Sequence, residues 1–124
     1  MNKNVVIVGA SDDPEKYSYK ALKLLKAHSY NPIPVNPTKD MIDGIKCLHS
    51  ISELTEHADT FTIYVRPQIS STMIDEIIAA TPERVIMNPG AENTDLKSAC
   101  EANGIRAIFL CTLVLLGTGQ FEKV

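Results

Sequence analysis

Val5-Val6-Ile7-Val8-Gly9-Ala10-Ser11-Asp12-Asp13-Pro14-Glu15-Lys16-Tyr17-Ser18 is the stretch on which the fold turns. Its four leading β-branched residues make a short unbroken apolar run, the mark of a strand buried on both faces. Gly9 allows the chain to turn sharply. From Ser18 to His28 the apolar residues fall at helical spacing, with Ala21, Leu22 and Leu25 on the inner face and Lys20, Lys23 and Lys26 on the wet one. A strand, a glycine turn and a helix start form a natural anion site, because backbone approaches closely and the first helical N–H groups face the turn. A nucleotide-like ligand is therefore expected, its identity and any chemistry left open.

Outward from this unit, strand-length apolar runs alternate with helical periods, which predicts an α/β fold: a three-layer, doubly wound, Rossmann-like parallel sheet of about five to six strands in a single domain over residues 1–124. Pro32–Val35 reads as the second strand, closed by Asn36-Pro37. Ile45–Leu48 reads as a short edge strand, and Ser50-Ile51-Ser52-Glu53 has capping-box spacing for a short helix. Thr60–Val65 is the next strand. Pro67 opens a helix to about Ala80, with Ile69, Met73, Ile74, Ile77 and Ile78 as its buried stripe. Arg84–Met87 is a fourth strand. Thr94–Asn103 is a helix with Thr94 as N-cap and Gly104 just past its end, and Ile105–Phe109 is the last strand. In such a sheet ligands sit beyond the C-terminal strand ends. Four segments should converge there: Gly9–Lys16, Asn36–Lys39, Arg66-Pro67 and Asn88–Asn93.

A net charge of −3 gives no footing for broad nucleic-acid or acidic-membrane binding. Neither the run before Gly9 nor Ile108–Leu116 has the length of a signal or membrane segment. Cys47, Cys100 and Cys111 include no Cys-x-x-Cys pair and read as small buried hydrophobes of a reducing, cytoplasmic protein.

A dinucleotide site would show Gly-x-Gly-x-x-Gly and an acidic residue after the second strand to hold the ribose hydroxyls. Only Gly9 of that fingerprint is present, and Asn36-Pro37-Thr38-Lys39 follows the strand. NAD is disfavoured. A ribose carrying an extra phosphate, as in coenzyme A or NADP, suits Asn, Thr and Lys better.

Gly9-Ala10-Ser11, Lys16-Tyr17-Ser18, Val35-Asn36-Pro37, the Gly-x-Lys-Cys at Gly44–Cys47, Arg66-Pro67 and Gly90 together resemble, in order and spacing over essentially the whole chain, the small CoA-binding domain proteins. These are similar to the CoA-binding Rossmann domain of succinyl-CoA synthetase and ADP-forming acyl-CoA synthetases. The resemblance implies a stand-alone, non-catalytic module that binds coenzyme A or acyl-CoA. It places Gly9, Ala10 and Ser11 with Lys16 along the pyrophosphate, counts Tyr17 and Ser18 among the cofactor-binding residues, and puts Asn36, Pro37 and Lys39 at the adenosine 3′-phosphate end. Arg66 and Pro67 would flank the adenine or ribose, and Pro89, Gly90 and Ala91 the pantetheine. Two departures from the family pattern lie toward the thiol end: Asn88 where many relatives have Gln, and a longer apolar tail from Cys111.

The residues suggest no catalytic set. Tyr19-x-x-x-Lys23 copies a dehydrogenase dyad, but on the wrong helix. His28, His49 and His57 lack metal-ligand spacing. Asp12-Asp13-Pro14 is turn chemistry, and Glu92 reads as support for a helix dipole. Cys111 reads as an inert buried thiol, although a mixed disulfide with the CoA thiol is chemically open to it. The phosphohistidine and nucleotide-grasp domains that the ligases need have no room in 124 residues. A small NADP-dependent oxidoreductase is the alternative, as is an interaction domain with a vestigial nucleotide site. Leu113–Leu116 is then a surface for a homodimer or another protein partner.

Overall fold

A computed structural model describes all residues from Met1 to Val124. Five parallel strands form its sheet: β1 (Asn4–Val8), β2 (Asn31–Val35), β5 (Thr60–Ile63), β6 (Arg84–Met87) and β7 (Arg106–Phe109), in the spatial order β2-β1-β5-β6-β7. The chain leaves β1 for β2 on one side and then crosses to β5 on the other. The order therefore reverses at β1, and the ends of β1 and β5 mark the switch point beside which sheets of this kind bind their ligands. This is the doubly wound α/β fold expected from the sequence, with about five strands.

Alternate residues of each strand feed two cores. Val6, Val8, Ile63, Val85 and Met87 pack beneath α3 (Ile74–Ala79) and α4 (Thr94–Ala102), with Ile77, Leu96 and Cys100 completing that layer. Val5, Ile7 and Ile86 pack beneath α1 (Tyr17–Ala27) and α5 (Thr112–Gly117) with Leu22, Leu25, Leu115 and Leu116. Burial on both faces explains why the strands read as continuous apolar runs rather than alternating ones.

Several local expectations are corrected. Ile45–Leu48 is not one edge strand: β3 (Met41–Ile42) and β4 (Ile45–Lys46) form a small antiparallel hairpin off the main sheet, and Leu48 alone bridges Val35. The Ser50–Glu53 box yields only a single 3-10 turn, Ile51–Glu53. Ser50 Oγ bonds Ser52 Oγ, and Glu53 accepts from the amide of His49 instead. The helix from Pro67 breaks into α2 (Pro67–Ser70) and α3. Around the break, hydroxyls compete with the helical ladder, as in Thr72 Oγ1 to Ile69 O at 2.6 Å. Of its foreseen stripe only Ile77 is fully buried, while Ile69 is exposed.

Asn93 rather than Thr94 caps α4, its Oδ1 accepting from the amides of Asp95 and Leu96. Its Nδ2 donates to Pro67 O, Ser70 Oγ and Ser71 Oγ, so one buried amide fixes both α4 and the end of α2. The tail after β7, anticipated only as an apolar run, is the helix α5. Behind it Arg84, wholly buried at the start of β6, donates to Thr60 Oγ1 and to the carbonyls of Phe121 and Val124, fastening the last residues to the edge opposite the crevice.

Candidate functional site

The loops at the C-terminal strand ends are stitched side by side. Asn36 Nδ2 donates to Ala10 O at 2.8 Å, Tyr64 N to Val8 O at 2.9 Å, Asn88 N to Ile63 O at 3.2 Å and Leu110 N to Met87 O at 3.2 Å. The four segments foreseen from the sequence therefore do lie along one sheet edge.

Gly9 sits at the reversal point with φ +85°, and a Cβ there would lie 2.7 Å from Val65 Cγ1. Glycine is thus required twice, for its backbone angle and for the close passage of the β5 loop. Its N–H, like that of Ala10, is already spent on Val35 O at 3.1 Å. Gly9 and Ala10 therefore shape the cradle rather than supply donors to it. Beyond them the loop is pinned by its own side chains: Ser11 Oγ accepts from Asp13 N, and Asp13 Oδ1 from Glu15 N, both at 3.0 Å. Asp-Asp-Pro is turn chemistry, as anticipated.

What remains open is the start of α1. Lys16 stands at its N-cap without a side-chain cap, and the amides of Tyr17, Ser18 and Tyr19 have no acceptor in the chain. Three oriented donors at the positive end of an eleven-residue helix attract an anion. Lys16, at the N-cap itself, is exposed and forms no ion pair, and Arg66, likewise exposed and unpaired, stands at the start of α2 in the third segment. Lys39 reaches Asp12 at 3.1 Å, joining the second loop to the first. Asn36 closes an Asx turn through Thr38 N and Oγ1 at 2.8 and 3.0 Å. Pro67 is the first residue of α2.

In the fourth loop Asn88 is buried and fully engaged: Nδ2 donates to Thr62 Oγ1 and Ile63 O, and Oδ1 accepts from Thr112 N. Gly90 turns at φ +92°, and its N–H goes to Glu92 Oε1 at 2.7 Å. Glu92 thus stiffens this turn directly ahead of the Asn93 cap of α4. Ala91 has its side chain in the core, leaving only its backbone for a ligand.

Beside the crevice lies a cleft of about 380 Å³ that the sequence reading did not identify. Tyr17 and Tyr64 form one side, Asn88 and Pro89 the floor of the β6 loop, and Cys111, Leu113 and Val114 the entry to α5. Cys111 is half-exposed, unlike Cys47 and Cys100, whose thiol pKa values burial raises, Cys100 to about 11. The Tyr64 hydroxyl is enclosed near Thr62 and Thr112 without a hydrogen bond of normal geometry, and burial chiefly pushes its pKa up to about 12. The Tyr19–Lys23 pair lies elsewhere, both side chains turned to Asp43 at 3.4 Å, which removes it from any hydride chemistry at the crevice.

The family model described as CoA binding domain matches residues 3–117. The chain belongs to this CoA-binding family. It is 34% identical over 74 residues to an ADP-forming acetate–CoA ligase of Methanocaldococcus jannaschii, an alignment covering 60% of this chain and 10% of that one. An uncharacterized Bacillus subtilis protein, YneT, is 30% identical over 77 residues, 62% of this chain and 57% of its own. The chain therefore spans less than two thirds of these relatives. A crystal structure of an uncharacterized protein, 34% identical, superposes with a TM-score of 0.89 over 98% of this chain and 99% of its own. This CoA-binding domain is thus homologous to a module of the ADP-forming ligases. No helix in it is long and apolar enough to cross a membrane.

Proposed function

We propose that this CoA-binding domain takes up coenzyme A or an acyl-CoA in the crevice at β1 and holds it without transforming it, in the cytoplasm. The observation that carries the reading is the uncapped start of α1, where the amides of Tyr17, Ser18 and Tyr19 have no acceptor and Lys16 stands unpaired at the N-cap. Ser11, Lys16, Tyr17 and Ser18 receive the pyrophosphate, while Gly9 and Ala10 shape its approach. Asn36, Pro37 and Lys39 face the 3′-phosphate, Arg66 and Pro67 the adenosine, and the Pro89-Gly90-Ala91 backbone the pantetheine arm. Holding rather than catalysis is supported by how the polar side chains along this edge are spent. Asn36, Asn88, Asp13 and Glu92 each satisfy a neighbouring backbone group or side chain, leaving no nucleophile–base pair.

Titration calorimetry with CoA, dephospho-CoA and NADPH tests this. CoA should bind most tightly and lose affinity when its 3′-phosphate is removed. Lys16→Glu should weaken CoA on the order of tenfold or more, the worth of one charge-assisted contact. CoA affinity unmoved by Lys16→Glu, or NADPH bound more tightly than CoA and oxidised by an added acceptor, overturns the reading.

A further inference from the structure

The cleft at the entry to α5 differs in chemistry from the anion site next to it. No charged side chain lines it. Asn88, its most polar wall, has both ends of its amide committed to Thr62, Ile63 and Thr112. Tyr64 offers its ring and not its hydroxyl, since the oxygen is enclosed. Among the lining side chains only the Cys111 thiol and the Tyr17 phenol remain as uncommitted polar groups. No lining residue offers a phosphate or carboxylate a counter-charge, Lys20 Nζ standing 5.6 Å from the centroid of the Tyr17 ring, and the two amides of a pantetheine arm would find few partners. An aliphatic group loses nothing by entering, and it would cover apolar surface now in water: Val114 is 59% exposed and Tyr17 68%.

The two sites share a residue. Tyr17 is the first residue of α1, so its amide faces the anion site while its side chain walls the cleft. A ligand spanning both is anionic at one end and apolar at the other. Resting on the CoA reading above, we propose that the preferred ligand is an acyl-CoA with an aliphatic acyl group, and that the Tyr17–Tyr64–Val114 cleft buries that group and sets its length. The thioester remains intact, and recognition is by burial alone.

The test is a calorimetric series of CoA, acetyl-, butyryl-, hexanoyl- and octanoyl-CoA, paired with alkylation of Cys111 by N-ethylmaleimide, since the other two thiols are buried. Affinity should rise about fourfold for each added methylene until the cleft is full. Hexanoyl-CoA should slow alkylation of Cys111 more than CoA does. Val114→Asp, a change at an exposed position, should flatten the series, so that hexanoyl-CoA binds no more tightly than CoA.

Equal affinity across the series with CoA still bound overturns the acyl cleft and leaves the CoA reading standing. No binding of CoA or of any thioester overturns both. A wild-type chain-length slope in Val114→Asp, or equal protection of Cys111 by CoA and hexanoyl-CoA, removes the cleft as the acyl site.

Discussion

Replacing Gly9 by alanine probes the geometry of the crevice most directly, because two separable costs meet there. The first is the backbone angle: at φ +85° an L-residue costs about 1 kcal/mol or slightly more. The second is contact. The new methyl would stand 2.7 Å from Val65 Cγ1, 3.2 Å from Val65 N and 3.3 Å from the Tyr64 carbonyl carbon. Ordinary carbon–carbon separations are about 3.5–4.0 Å. Two of these neighbours are backbone, so rotation of the Val65 side chain relieves only the shortest contact, and overpacking of this kind costs about 1–3 kcal/mol. Gly9→Ala should therefore lose about 3 kcal/mol, a large share of a typical domain's stability, and lower Tm on the order of 10 °C.

Gly90 supplies the internal control. It has nearly the same angle, φ +92°, but nothing within 4 Å of an added Cβ, so Gly90→Ala should show the backbone cost alone. Chemical denaturation of both variants reads the contact cost as their difference. Gly9→Ala/Val65→Ala should recover only part of that difference, because the two backbone contacts persist. If Gly9→Ala is no less stable than Gly90→Ala, the close approach of the β1 and β5 loops is wrong.

Asn93→Ala removes the α4 cap and the donor that holds Ser70, Ser71 and Pro67, and should cost about 2–4 kcal/mol in a denaturant titration. A loss under about 1 kcal/mol would refute its double role. Tyr64 and Tyr30 titrate at about 12 in the folded chain against an ordinary 10.0, Tyr64 mainly through burial and Tyr30 through burial and its bond to Glu122. The unfolded chain therefore gives up these protons first. Stability is full below pH about 10 and declines as the pH rises toward 12, by roughly 3 kcal/mol at most for Tyr64 and less for the more exposed Tyr30. Tyr64→Phe should remove most of that decline in denaturation curves taken across the alkaline range, and an unchanged curve would show that the phenol is not buried.

The features legible in the sequence were those carried by backbone chemistry or periodicity. Four β-branched residues before Gly9 announced a buried parallel strand, and the glycines and prolines after each strand marked the loops that meet at the site. What escaped detection depends on partners far along the chain. Asn93 displaces Thr94 as the cap because its amide also has three acceptors on the α2 segment, about twenty residues earlier. The break between α2 and α3 is encoded by Ser70-Ser71-Thr72, whose hydroxyls compete with the ladder, a signal present in the sequence but overridden there by the isoleucine period. The helix α5 hid in a run too short and too apolar for a one-sided stripe, and with it went the cleft, whose walls come from α1 and from the loops after β5, β6 and β7.

The two asparagines that end strands explain how this edge stays receptive to an anion. Asn36 follows β2 and Asn88 follows β6, and each uses its amide to tie its loop to the neighbouring strand or loop. A carboxylate at either place has no N–H to donate and could not make those bonds, and it would add negative charge at this sheet edge. An amide does the joining with no net charge. Asn36 thereby also loses the free acceptor that a ribose diol would need, since its Oδ1 is taken by Thr38. Asp12, in the loop before α1, is paired with Lys39. On the CoA reading proposed above, the uncommitted amides at the start of α1 and the unpaired Lys16 would take the anion, while the bonds that hold the Asn36 loop occupy the acceptor that a plain dinucleotide's ribose would need.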